Sequence, residues 1–265
     1  MIPVGDSTRR YSTPWVTYGI ILANALVFIA MLGMDASSPR VTVESSRRFI
    51  EQTETVCYGY RTAPNDLNEF VCRWGFQPKE FFDAVRGESG LSGAPLRWAL
   101  LAILTSLFIH GGWLHILGNM LFLWVFGDNI EDRLGRLGFL LFYLSAGVVA
   151  SLIQGLMDPS SVIPVVGASG AVAGVLGAYF IWFPRATVHV VIPFFILIFI
   201  PLPVPAFLMI GLWFLQNLFA GYASLVETAA TGGGVAWFAH IGGFIFGALI
   251  AAMTPPRRQR PPAFP

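Results

Sequence analysis

The chain has 265 residues, 55% of them hydrophobic and 12% charged, with a mean hydropathy of +0.66. Soluble domains carry roughly 25% charged residues, so this composition excludes an ordinary soluble domain and predicts an integral membrane protein. A formal net charge of +1, with no basic stripe and no zinc-finger spacing, excludes a nucleic-acid partner.

Residues 1–14 are polar and carry Arg9 and Arg10. The apolar run from Trp15 to Met34 follows. It exceeds the usual 7–15 residue core of a cleaved signal peptide and matches the ~20 residues of one membrane-spanning helix, which predicts a retained first span. The segment 35–97 is then polar, with eight of the sixteen basic and nine of the fifteen acidic residues, and reads as a solvated outer loop or subdomain. Within it "PKEFFDAVRG" predicts a short amphipathic helix with Phe81, Phe82 and Val85 on one face. Both cysteines, Cys57 and Cys72, fall here. They are either free or structural thiols, or a disulfide if the loop faces an oxidising side. No histidine lies in the same segment, so no metal site is expected.

From Trp98 the chain is almost wholly apolar. The run 98–126 is too long for one ordinary span, so the second helix is expected from Gly112, with 98–110 lying along or dipping into the membrane face. A polar connector is expected at 127–136, a third span at 137–157 and a fourth at 167–183. Prolines at 193, 201, 203 and 205 cut the next run into an interfacial or re-entrant piece, 188–204, and a fifth span, 206–223. The sixth span is 236–253, and the polar tail 254–265 is expected to be disordered. Outside the long loop, Arg9, Arg10, Arg133, Arg136, Arg185, Arg257, Arg258 and Arg260 all fall on one side if there are six spans. Positive charge stays on the cytoplasmic side, so the sequence predicts an all-α, six-helix membrane bundle with both termini cytoplasmic, in the plasma membrane of a prokaryote.

A polar side chain inside lipid needs a partner or a task. Ser169 opens the fourth span, His240 lies about one turn into the sixth, and His115 and Asn119 sit four apart near the start of the second. All three helices run inward from the outer face, so the four side chains can meet in one cavity. That set suits acyl transfer: a base to take the serine proton and donors for the oxyanion. His240 is the candidate base, and the backbone N–H of Ser169 is one candidate donor. Gly170 and Gly174 on the fourth span, with Gly243 and Gly247 on the sixth, form small-residue faces that let two helix backbones approach. His110 is expected to anchor a loop, Glu131 and Arg133 to tie the connector to helix ends, and Gln216 and Asn217 to serve helix packing or line a substrate access path.

"GASG" at 167–170, "AHIGGFIFG" at 239–247 and "HGGWLHILGNMLFLW" at 110–124 together resemble the motifs of the rhomboid family of intramembrane serine proteases, and "EDRLG" at 131–135 is similar to its connector after the second helix. The likeness covers 98–253 and the first span. It implies a Ser169–His240 dyad without an acid, His115, Asn119, Gly167 and Ala168 around the oxyanion, transmembrane protein substrates, and no metal or cofactor. Two family features differ. Leu101 and Ala102 stand where a Trp-Arg pair is common, and Ala173 stands where a tyrosine stacks on the catalytic imidazole. Trp237 or an aromatic from another helix is expected to take over that stacking. The second reading is a non-proteolytic rhomboid-like protein that binds transmembrane clients. A transporter is a weaker third, since the spans hold no inverted repeat or embedded carboxylate. The sequence does not set the oligomeric state.

Overall fold

A computed structural model of the chain describes residues 1–37, 65–88, 96–191, 201–226 and 234–254. Cys57, the residues 192–200 of the expected re-entrant piece, and residues 255–265 of the tail lie outside the described residues.

The described elements run in this order: β1 (Ile2–Asp6), α1 (Trp15–Ser37), α2 (Asp66–Trp74), α3 (Pro78–Arg86), α4 (Leu96–Thr105), α5 (Trp113–Leu134), α6 (Arg136–Met157), α7 (Ser169–Trp182), β2 (Thr187–Val191), β3 (Leu202–Pro205), α8 (Ala206–Val226) and α9 (Trp237–Met253). Among them α1, α6 and α8 are long and apolar enough to cross a membrane. A fourth candidate is the pair Leu96–Phe108 and Trp113–Leu134, bent by 83°. The bend puts α4 nearly at right angles to α5, so 98–110 does not continue that helix. α7 and α9 are shorter apolar helices, of 14 and 17 residues.

α7 is the centre of the bundle. Every residue from Gly170 to Tyr179 is buried, as expected of a helix that is apolar all round. A Cβ at Gly174 would lie 2.6 Å from Ala146 Cβ on α6, and one at Gly243 or Gly247 would overlap the carbonyl oxygens of Gly170 and Gly174. Three backbones thus pack at distances that only hydrogen can fill.

Three expectations are corrected. The molecule is mostly helical but not all-α: β1, β2 and β3 form an antiparallel sheet in that order. β1 comes from the polar N-terminal segment and β2 and β3 from the expected interfacial piece. Val188 and Val190 alternate inward on β2 and are fully buried, which favours a strand. Asp6 ends β1 and accepts hydrogen bonds from Tyr179 Oη and, at 2.9 Å, from Asn129 Nδ2, so the N-terminus is pinned to α7 and α5. Second, most of the expected connector 127–136 is helix, because α5 continues to Leu134 and only Gly135, at φ +75°, turns the chain. The reason lies in Glu131, 1% exposed, whose carboxylate accepts from the N–H groups of Val16 and Thr17 at 3.0 and 2.7 Å and from Thr17 Oγ1 at 2.8 Å. It satisfies the free amides of the first turn of α1. Third, Phe81 and Phe82 of α3 pack with Phe76, but Val85 is exposed.

The described part of the polar segment 35–97 docks on the segment that leads to Ser169. Phe76 and Val165 form an antiparallel bridge, with N···O distances of 3.1 and 2.8 Å, and Gln77 Nε2 donates to Val162 O at 2.6 Å. Cys72, 2% exposed on α2, is disulfide-bonded.

Candidate active site

Ser169 is the first residue of α7. Its amide is therefore among the N-terminal N–H groups that a helix leaves without an internal acceptor. The two residues before it are held from the 106–110 segment. Gly167 N–H donates to Ser106 O at 2.9 Å, and Ala168 N–H donates to His110 Nε2 at 3.4 Å. Their amides are thus engaged, and Gly167 and Ala168 shape the site through the path of the loop. His110, 1% exposed, is the loop anchor. Its ring also meets that of His115 edge-on, with centroids 4.9 Å apart.

His115 and Asn119 lie one turn apart on α5. Gly111 N–H donates to His115 Nδ1 at 3.3 Å, which leaves the Nε2 side of the ring facing Gly167. Asn119 is buried, and its Nδ2 has no partner among the described residues. Buried donors are nearly always paired, so this atom has a hydrogen bond to offer to a group in the site.

His240 stands on the first turn of α9. Gln154 of α6 fixes that turn: its Oε1 accepts from Phe238 N–H and Ala239 N–H at 3.1 and 3.2 Å. From α8, Asn217 Oδ1 lies 2.7 Å from His240 Nδ1. The ring of Trp213 is tilted against the imidazole with centroids 5.8 Å apart and planes at 34°, and Trp237 meets it edge-on at 6.1 Å. Ala173 itself is fully buried under Gly243. The aromatic neighbours of His240 therefore come from α8 and from its own helix.

Ser169, His240, His115 and Asn119 all line one cavity of about 1030 Å³. Gln154 and Trp213 join them, together with Asn68 and Val71 from α2 and residues 163–166 of the loop. The lining includes no Asp, Glu, Lys or Arg among the described residues. Among the described residues no group of three or more His, Cys, Asp or Glu is placed to hold a metal. Such a site offers a hydroxyl, an imidazole and neutral donors, which are the parts of nucleophilic acyl transfer. Asn217, Gln154 and Trp213 are the residues that sequence reasoning did not assign to it. The only available signal was that Gln154 and Asn217 are amides in apolar runs.

The family model described as Rhomboid domain matches residues 97–257, more than half of the chain. The mitochondrial Rhomboid protein 1 of Saccharomyces cerevisiae is 32% identical over 173 residues, covering 60% of this chain and 44% of that protein. The chloroplastic Rhomboid-like protein 11 of Arabidopsis thaliana is 43% identical over 70 residues, covering 26% of this chain and 25% of that protein. The rhomboid protease GluP of Bacillus subtilis is 41% identical over 76 residues, covering 29% of this chain and 14% of that protein. The matched stretches span less than half the length of each of these relatives.

Proposed function

This chain belongs to the rhomboid family, and we propose that it is an intramembrane serine endopeptidase that cleaves transmembrane-segment substrates through Ser169 and His240. The observation that carries the reading is the single cavity lined by Ser169, His240, His115 and Asn119. His240 takes the proton of Ser169 Oγ as that oxygen attacks a peptide carbonyl. The carbonyl oxygen becomes an oxyanion, and Asn119 Nδ2, His115 and the Ser169 amide are the donors proposed for it. His240 then gives its proton to the leaving amine, and water hydrolyses the acyl-enzyme by the reverse sequence. Soluble triads use an acid beside the histidine. Here the proposed machinery is neutral, which avoids placing a carboxylate at membrane depth.

The proposed topology is six spans, α1, α5, α6, α7, α8 and α9, with both termini cytoplasmic. α7 and α9 are short for a bilayer crossing, and burial of α7 at the bundle centre supports reading it as a span shielded from lipid by its neighbours. The arginines outside the long loop support the orientation, and the plasma membrane of a prokaryote is the proposed location. Transmembrane proteins are the proposed partners, with no cofactor.

The test is incubation of the purified protein in liposomes with a transmembrane model substrate. Cleavage by the wild type, lost in Ser169→Ala and in His240→Ala, is the expected result. Unchanged cleavage in either variant would sink the proposal. No cleavage by the wild type, with no labelling of Ser169 by a fluorophosphonate, favours a client-binding protein instead.

A further inference from the structure

We propose that Asn217 is a positioning residue that locks the imidazole of His240 in the tautomer able to act as a base. The inference rests on the proteolytic reading and names a third member of its machinery, drawn from α8.

An amide side chain can turn either end toward an imidazole. If it presents its oxygen, the facing ring nitrogen must carry the proton. If it presents its NH2 group, the facing nitrogen must be bare, and the proton moves to the other side of the ring. The second arrangement would put a proton on Nε2, where a base needs a lone pair. Wrong tautomer selection in a triad costs about 10⁴-fold in turnover.

The structure removes that ambiguity. Asn217 Nδ2 donates to Trp213 O at 2.7 Å. A carbonyl oxygen accepts and never donates, so the amide end facing Trp213 is the NH2 end. The end facing His240 Nδ1, at 2.7 Å, is then Oδ1. Nδ1 consequently carries the hydrogen, and Nε2 keeps its lone pair for the Ser169 hydroxyl. Asn217 is only 2% exposed, so water does not compete for either bond. The Trp213 carbonyl, one helical turn before Asn217, is thus part of the device.

The same residues hold the ring in place. Trp213 packs beside the imidazole in a tilted contact and Asn217 ties one edge, both from α8. His240 itself stands on α9, whose first turn is fixed from α6 by Gln154. Neutral tethering also suits the surroundings, since a buried carboxylate at this depth would need its own partner.

The experiment follows the His240 ring by NMR in protein labelled with ¹³C and ¹⁵N histidine, assigned with His240→Ala, alongside cleavage of the transmembrane model substrate. The wild type is expected to show the Nδ1–H tautomer. Asn217→Leu keeps the branched shape and removes the acceptor, so it should lose the single tautomer and about 10²-fold in kcat, with KM within about twofold, a smaller loss than outright tautomer reversal. Asn217→Asp keeps an oxygen toward Nδ1, and in its neutral acid form can still donate to Trp213 O. It should retain the tautomer and restore kcat to within about tenfold of wild type. Packing alone would predict the opposite order, with the apolar Leu tolerated better than Asp. A wild-type ring protonated on Nε2 overturns the proposal without any variant having to fold. So does an Asn217→Leu protein with wild-type tautomer and kcat. If the tautomer behaves as expected while the wild type cleaves nothing, Asn217 positions the ring and the proteolytic reading is what fails.

Discussion

Gly167 faces the imidazole of His115 so closely that a Cβ at 167 would lie 2.6 Å from His115 Nε2. Its φ of +121° is also one that side-chain-bearing residues rarely adopt. The loop before Ser169 and the proposed oxyanion donor are therefore fitted to each other through a missing side chain. Gly167→Ala should displace either the loop or the ring by a sizeable fraction of an ångström. Cleavage is expected to fall by about 10²-fold, the usual cost of a misplaced reacting group. Steady-state kinetics on the transmembrane model substrate, with circular dichroism to show that the helices persist, checks this. Kinetics equal to wild type would mean that His115 is not held against the loop.

Asn119 separates function from stability. Its Nδ2 is a buried donor without a partner among the described residues, and such a group costs ~1–3 kcal/mol in the folded protein. Asn119→Leu keeps the branched shape, has the cavity to extend into and removes that cost, so thermal unfolding should shift upward or stay level. The same substitution should lower kcat by about 10²–10³-fold, as expected for loss of one oxyanion donor. A variant that is less stable yet fully active would show that Asn119 serves packing.

The seam between α7 and α9 is expected to be the most sensitive packing surface. A Cβ at Gly247 overlaps the carbonyl oxygen of Gly174, which is backbone and cannot rotate away. Gly247→Ala should destabilise by ~1–3 kcal/mol and also reduce cleavage, because His240 rides on the same helix. Gly19 on α1 has nothing within 4 Å of a built Cβ. Gly19→Ala is therefore the control, expected to be neutral or stabilising by up to about 1 kcal/mol. Thermal melts of the two variants in the same detergent compare them directly.

Glu131 should matter for folding and little for chemistry. Its carboxylate accepts three hydrogen bonds from α1. Glu131→Gln replaces one of the two accepting oxygens with an NH2 group, which then faces at least one backbone N–H that needs an acceptor. Hydrogen bonds to charged groups contribute ~1.5–3 kcal/mol each, so a loss of about 2–3 kcal/mol in stability is expected. Well below the melting temperature, kcat should stay within about twofold of wild type. A melt coincident with wild type would leave the first turn of α1 without a side-chain cap.

Much of the helical fold was legible because each apolar helix carries its own signal. Trp15–Met34, 137–157 and 236–253 announce themselves by length and by the absence of charge, whatever they later touch. The motif residues were legible for a related reason. Ser169, His240, His115 and Asn119 are polar groups in segments where a polar group is costly, and each sits near the same end of its helix. The sheet was not legible. β1 has only five residues, and its partner β2 begins about 180 residues later, so no local pattern could pair them. The helical course of 127–134 was hidden too, because Glu131 reads as a connector residue until the first turn of α1 is placed beside it.

The sequence by itself determined where most of the long apolar helices form and which few polar side chains lie within them, since hydrophobic period and length act locally along the chain. The tertiary structure alone decided what stands around the histidine. Asn217 and Trp213 reach His240 from α8, Gln154 secures its turn from α6, and Ala173 supplies no ring. Those assignments depend on how three helices cross and rotate about their axes, and periodicity within one helix says which residues share a face but not which foreign side chain will meet it.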